Sequence, residues 1–356
     1  MELITYMNNA IENIIQSVVK SSWKNPEELR FLTRTVSLQK KAARKRLSTL
    51  PSGLSVPPFL IASIATQCNL HCSGCYAREG HTCQDQPLKT ELSASRWKEI
   101  FLEAEELGVS FVLLAGGEPL ARPDVLEAAA VSEMIFPVFT NGTLFSDPMI
   151  TFFHKHRNLI PIISIEGNQA QTDKRRGSGI YQIVMNTMSV MKKRGLLFGA
   201  SITLSKENAK DALSDNYLDI LSQSGCRLIF LVEYVPVDGN SEIAFDASDR
   251  IYLDQRLLEL RTKFPNMLFL SFPGDEKALG GCLAAGRGFF HINAFGDAEP
   301  CPFSPFSDSS LKSGTLAHAL ESPLFRYLQS SGLESEEHSG GCALFEHQQE
   351  VARFLQ

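Results

Sequence analysis

Ile160-Pro161-Ile162-Ile163-Ser164-Ile165 is an almost unbroken apolar run. A strand wetted on one face alternates apolar and polar residues, so this run implies burial on both faces, as in a parallel sheet. Similar runs lie on either side of it: Phe59–Ala65, Phe111–Ala115, Phe136–Thr140, Phe198–Leu204 and Leu228–Val235. Helical patterns separate them at Ser93–Leu107, Asp124–Met134, Ser146–Arg157, Ile180–Arg194, Ala212–Ser224 and Ala247–Phe264. Alternating strands and helices define an α/β fold. Six such units predict a partial (β/α)6 barrel of the TIM type, with a doubly wound sheet as the alternative. In a barrel, functional residues sit at the C-terminal ends of strands and in the loops that follow.

The unusual residues fall in those loops. After the first strand comes Cys68-Asn69-Leu70-His71-Cys72-Ser73-Gly74-Cys75-Tyr76, after the second Gly116-Gly117-Glu118-Pro119, after the third Asn141-Gly142, and after the fourth Glu166-Gly167. Thiolates are soft ligands suited to zinc and iron–sulfur centres. A [4Fe–4S] cubane normally takes four cysteines. Three on one loop can bind three irons and leave the fourth open. The alternative is a zinc site completed by His71 or Cys83. Glycines at 116 and 117 permit close backbone approach, and a carboxylate or carbonyl there can accept bonds from an ammonium group. Ser164 and Glu166 are expected to share a face of the fourth strand. Asn141-Gly142 reads as a turn.

The 356 residues are 44% hydrophobic and 21% charged, with a formal net charge of −6. These values fit a globular protein and give no global footprint for nucleic acid. No secretory signal is evident and no apolar run is long enough to span a bilayer, so a soluble cytoplasmic protein is expected. Eight cysteines, three of them on one loop, suit metal binding in a reducing compartment better than a disulfide framework. The chain divides into an N-terminal helical region (1–57), a core (58–271) and a Gly-, Ser- and Pro-containing extension (272–356). Leu3, Met7, Ile11, Ile14, Ile15 and Val18 fall near helical spacing. The basic stretch Lys40–Arg46 is read as a solvated helix face, with an acidic partner or membrane surface as the alternative.

The cysteine spacing with its following aromatic, together with Gly116–Pro119, Thr140-Asn141-Gly142 and Ser164–Gly167 in order after successive strands, resembles the radical SAM superfamily over roughly residues 58–240. The resemblance implies a [4Fe–4S] cluster on Cys68, Cys72 and Cys75, whose open iron binds S-adenosylmethionine. Reductive cleavage then gives a 5′-deoxyadenosyl radical that abstracts hydrogen from substrate. It further implies cofactor contacts from Tyr76, Gly116, Gly117, Glu118, Ser164 and Glu166. It adds Arg176, from the segment Asp173-Lys174-Arg175-Arg176-Gly177, as a partner for the cofactor carboxylate. Ser201 and Thr203 share a face of the fifth strand. A ferredoxin or flavodoxin is the implied electron donor.

Cys282, Cys301 with Gly296 ahead of it, and Gly340-Gly341-Cys342 resemble a reduced SPASM/Twitch extension, which binds auxiliary [4Fe–4S] clusters. A full extension has seven cysteines, and this one has three. The expectation is therefore one auxiliary cluster on Cys282, Cys301 and Cys342. Its fourth ligand would come from Glu276, His338, water or substrate; alternatively, these are buried structural thiols. Cys83 and Cys226 match no motif and are read as small buried hydrophobes. The expected substrate is a peptide or cofactor precursor. The competing readings are a small-molecule radical SAM enzyme without an auxiliary cluster, a non-enzymatic iron–sulfur electron carrier, and a zinc-stabilised interaction protein.

Overall fold

The computed structural model describes residues 26–85, 89–279, 281–333 and 342–356. The apolar positions Leu3 to Val18, His338 and Gly340-Gly341 lie outside these residues. The first described element is a helix, Pro26–Thr49. The strands are β1 (Phe59–Ala65), β2 (Phe111–Gly116), β3 (Phe136–Thr140), β4 (Leu159–Ser164), β5 (Gly199–Leu204), β6 (Leu228–Glu233), β7 (Leu268–Phe272), β8 (His291–Ile292) and β9 (Ala298–Glu299). They form one sheet in the order β7-β6-β5-β4-β3-β2-β1-β8-β9. All neighbours from β7 to β8 are parallel, and β9 turns back antiparallel to β8. The ends β7 and β9 do not pair, so the barrel is open. All six expected strands are present, and β7, β8 and β9 extend them.

Helices supply the crossovers because their caps and apolar stripes are local. Ser93 and Ser146 accept backbone N–H bonds at the starts of Ala94–Leu107 and Asp147–Lys155. Trp97, Ile100, Phe101 and Ala104 then face the sheet. On the opposite face, Ile160, Ile162 and Phe230 form a second apolar cluster with Leu32 of the first helix. The helix thus packs across the sheet beneath the site. Its basic stretch is a solvated face only in part. Lys45 Nζ donates to Glu105 O at 2.8 Å, and Arg46 is 1% exposed, donating to Gly108 O and, at 2.8 Å, to Ser110 Oγ. Burial lowers the Arg46 guanidinium to about 10.

Candidate active site

The C-terminal ends of the strands open into a cavity of about 960 Å³. Cys68, Cys72 and Cys75 lie on its wall. Their loop is held from several sides. Arg78 donates to Cys68 O (3.2 Å) and Leu70 O (2.9 Å), and Arg175 donates to Ser73 O (3.2 Å) and Gly74 O (3.4 Å). Ser73 N–H returns a 2.9 Å bond to Arg175 O. The Cys68 sulfur accepts from Leu70 N–H at 3.4 Å and Asn141 Nδ2 at 3.7 Å. Burial pushes the Cys68 and Cys72 thiols up, while the Arg176 and Arg175 guanidiniums favour the Cys72 thiolate.

Gly116 and Gly117 brace this loop from below. Gly117 N–H donates to Ala65 O at 2.7 Å and Glu118 N–H to Gln67 O at 2.8 Å. A Cβ on Gly117 would lie 2.2 Å from Gln67 O, and Gly116 adopts φ +119°. Only glycine fits either position. Glu118 is 1% exposed, and protein donors occupy both of its carboxylate oxygens: Thr140 Oγ1 (2.7 Å), Leu120 N (3.0 Å) and Asn141 N (2.8 Å). Burial raises its pKa against those bonds.

Ser164, Ser201, Thr203, Tyr76 and Arg176 all line the cavity. Glu166 does not share a strand face with Ser164, because β4 ends at Ser164. Its buried carboxylate sits behind the cavity wall, accepting from Arg175 Nη1 (2.6 Å), Arg176 Nε (2.8 Å) and Thr203 N–H (3.1 Å). Both arginines belong to the helix Gln169–Arg176, started by an Asn168–Gln171 capping box. Asn141, which the sequence marks only as a turn, reaches Cys68 and Asn69. Arg78 and Arg175 carry no signal of their own beyond lying near the motifs. His71 is exposed and bonds Asp85 at 3.2 Å, so it turns to the surface. Among the described residues, no three His, Cys, Asp or Glu side chains converge on one ion-sized position.

Cys282, Cys301 and Cys342 line the same cavity. Gly296, at φ +94°, lies between β8 and β9 as the hairpin turns back toward Cys301. Cys342 lies beside Cys301, and that neighbour, with burial and the charge of Cys282, pushes the Cys301 thiol up. Glu276 lies on the wall beside them and accepts from Leu283 N–H at 3.2 Å. Sequence reasoning missed a buried chain alongside this region: Ser63 Oγ to His291 Nε2 (2.7 Å), His291 Nδ1 to Glu299 Oε2 (2.7 Å), and Asn293 Nδ2 to Glu299 Oε1 (2.6 Å).

The sequence model of the Radical SAM superfamily matches residues 63–214, the segment from β1 through β5 that carries the cysteine loop and the arginine helix. Residues 63–214 are a radical SAM domain. Over 326 residues this radical SAM enzyme is 26% identical to the AdoMet-dependent heme synthase of Methanosarcina barkeri, covering 83% of this chain and 90% of that one. It is 30% identical over 164 residues to the sporulation killing factor maturation protein SkfB of Bacillus subtilis, 45% of this chain and 38% of that one. In fold it is similar to SuiB of Streptococcus suis bound to S-adenosylmethionine. The TM-score is 0.67 with 18% identity, over 83% of this chain and 73% of that one. Among the described residues no helix is long and apolar enough to cross a membrane.

Proposed function

We propose that this enzyme carries two iron–sulfur centres facing one substrate cavity, a core [4Fe–4S] cluster on Cys68, Cys72 and Cys75 and an auxiliary one on Cys282, Cys301 and Cys342. The observation that carries the reading is that both sets of thiols line a single cavity of about 960 Å³. That is the upper end of the range for small-molecule sites, with room for more than one ligand. When bound, the core cluster and S-adenosylmethionine supply reductive cleavage of the sulfonium bond and a 5′-deoxyadenosyl radical that takes hydrogen from substrate.

The chain's own residues then bind and orient. Arg78 and Arg175 fix the cysteine loop through its carbonyls. Arg176, whose charge is partly balanced by Glu166, presents a guanidinium to the cofactor carboxylate. Gly116 and Gly117 bring backbone carbonyls within reach of the amino group. Glu118 serves that segment by fixing Leu120, Thr140 and Asn141. Ser164, Ser201 and Thr203 offer hydroxyls to the polar parts of the cofactor, and Tyr76 offers a ring to the adenine. Relatives named as a heme synthase and as a maturation protein support a cofactor precursor or a peptide as substrate. A ferredoxin or flavodoxin supplies the electron.

The test is anaerobic reconstitution with iron and sulfide, reduction, addition of S-adenosylmethionine and assay of 5′-deoxyadenosine. The product should form, and should disappear in Cys72→Ala. A fully loaded, reducible protein that neither binds nor cleaves S-adenosylmethionine would return the chain to the electron-carrier reading.

A further inference from the structure

The side chains on the two faces of the sheet differ in burial. On the face covered by the crossover helices, Ala62, Val112, Leu114, Val138 and Leu231 are 0% exposed. On the inner face, Phe59, Ile61, Leu113, Phe139 and Phe272 are only half-buried, and with Phe230 they line the cavity of about 960 Å³. In a closed barrel such inward residues stack in layers that fill the interior. Here the lower layer is filled, because Ile160, Ile162 and Phe230 pack with Leu32 of the helix Pro26–Thr49. The layer above opens onto the cavity. Ile61 and Leu113 lie side by side in it, paired in register across β1 and β2. Its rings brace one another, Phe139 against Phe230 (centroids 5.1 Å apart, planes at 75°) and Phe230 against Phe272 (6.3 Å, 5°). The hydroxyls of Ser164, Ser201 and Thr203 belong to β4 and β5, a different stretch of the wall. Glu233, the last residue of β6, is paired with Arg250 at 2.6 Å.

Resting on the radical SAM reading above for the reaction itself, we propose that this chamber takes an uncharged, apolar ring of the substrate, and that Ile61, Leu113, Phe139 and Phe272 set the specificity for it. Apolar surface gains free energy when a ligand removes it from water, and cavities lined by Leu, Ile and Phe accept apolar molecules. Phenyl faces and edges add a preference for an aromatic ring over a chain of equal area. A peptide backbone in the same place would set N–H and C=O groups against phenyl and alkyl side chains that offer them no partner. Only a ring therefore enters, borne by a small cofactor precursor or by an aromatic side chain of a peptide. The helix Pro26–Thr49 closes the chamber from below, so the ring comes in from the mouth, where the cysteines lie.

The experiment uses the full chain, reconstituted with iron and sulfide, loaded with S-adenosylmethionine and left unreduced. Equilibrium dialysis measures three neutral probes: 2-naphthamide, N-acetyltryptophanamide and the ringless butyramide. At least one ring probe should bind about tenfold or more tighter than butyramide. Tighter binding of 2-naphthamide assigns the ring to a small molecule, and tighter binding of N-acetyltryptophanamide assigns it to a peptide side chain. Leu113→Phe puts a ring of the protein's own into the chamber. It should weaken the better ring probe about tenfold, the affinity that the occupied space had supplied. Its thermal midpoint should stay level or rise, because the added atoms meet open space and not packed neighbours. Ile61→Phe fills the same layer and is read in the same way should Leu113→Phe fail to fold. A lowered midpoint or unfolding in both variants would mean that the space is already packed, and would overturn the proposal. Ring probes that bind no better than butyramide would overturn it too. So would a ring probe that S-adenosylmethionine displaces, since the chamber would then hold the cofactor's adenine. None of these readouts needs turnover. A reduced native chain that makes no 5′-deoxyadenosine would overturn the radical SAM reading instead, with the ring site still decided by dialysis.

Discussion

The atoms a Gly117 side chain would meet are backbone: Gln67 O at 2.2 Å, Gln67 C at 2.6 Å and Gln67 N at 3.0 Å. Backbone cannot swing aside as the end of a side chain can. Gly117→Ala should therefore displace the segment leading into the cysteine loop, at a cost of about 1–3 kcal/mol, the usual range for overpacking. It should also lower the iron bound per chain after reconstitution. Gly179 provides the control. It also has positive φ (+82°), but a Cβ there meets nothing within 4 Å. Gly179→Ala should cost about 1–2 kcal/mol of left-handed strain and leave iron loading intact. Equal loading in the two variants would mean that the close approach at Gly117 does not set the loop. Glu118 shows what residue type leaves open: it lines the cavity, as a carboxylate in a Gly-Gly-Glu-Pro loop suggests, and its oxygens also accept from Thr140, Leu120 and Asn141. Nothing in the type of a residue states how many donors the fold will bring to it.

At the scale of elements, Asp173 does work that its motif does not reveal. Its carboxylate accepts from Tyr181 N–H (2.8 Å) and Gly179 N–H (3.1 Å), capping the helix Ile180–Lys193 from outside it. Those bonds hold its carboxyl below the usual aspartate range. A depressed native pKa means a contribution that is complete above the unfolded value of about 4 and is lost as pH falls through the lower native value. Asp173→Ala should thus destabilise by ~1 kcal/mol at pH 7, as lost caps do. In urea melts the gap from the native chain should close between pH 4 and pH 2. A gap that persisted unchanged in acid would mean the loss is one of packing, not of a charged cap. The major strands and helices were legible because burial on both faces and Ser caps are local signals, as in Ile160–Ile165 and Ser93. The helix Gln169–Arg176 was not, because it buries only Thr172 and has no apolar stripe to read. The hairpin strands β8 and β9 have two residues each, too short for any periodicity. Yet these elements bring Arg175, Arg176 and Cys301 to the same cavity.

For the molecule as a whole, the decisive relation is between parts far apart in sequence. The spacing of Cys68, Cys72 and Cys75 is readable because one loop holds all three, whereas Cys282, Cys301 and Cys342 are separated by long stretches of chain. Pairing of β8 with the β1 edge, Ile61 to His291 and Ala62 to Ile292, brings the extension against the sheet so that both groups open on one cavity. If each group holds its own cluster, the two should be separable in iron content. The native chain should bind about eight irons, and Cys301→Ser with Cys342→Ser should bind about four, the content of one cubane. The core thiols lie on a different loop, held by Arg78 and Arg175 from outside the extension. The double variant should therefore still cleave S-adenosylmethionine to 5′-deoxyadenosine after reduction while losing turnover of substrate. Unchanged iron in the double variant would make Cys301 and Cys342 a pair of neighbouring structural thiols and leave the cavity to a single cluster. Loss of all iron would instead mean that the extension is required for the core loop to form.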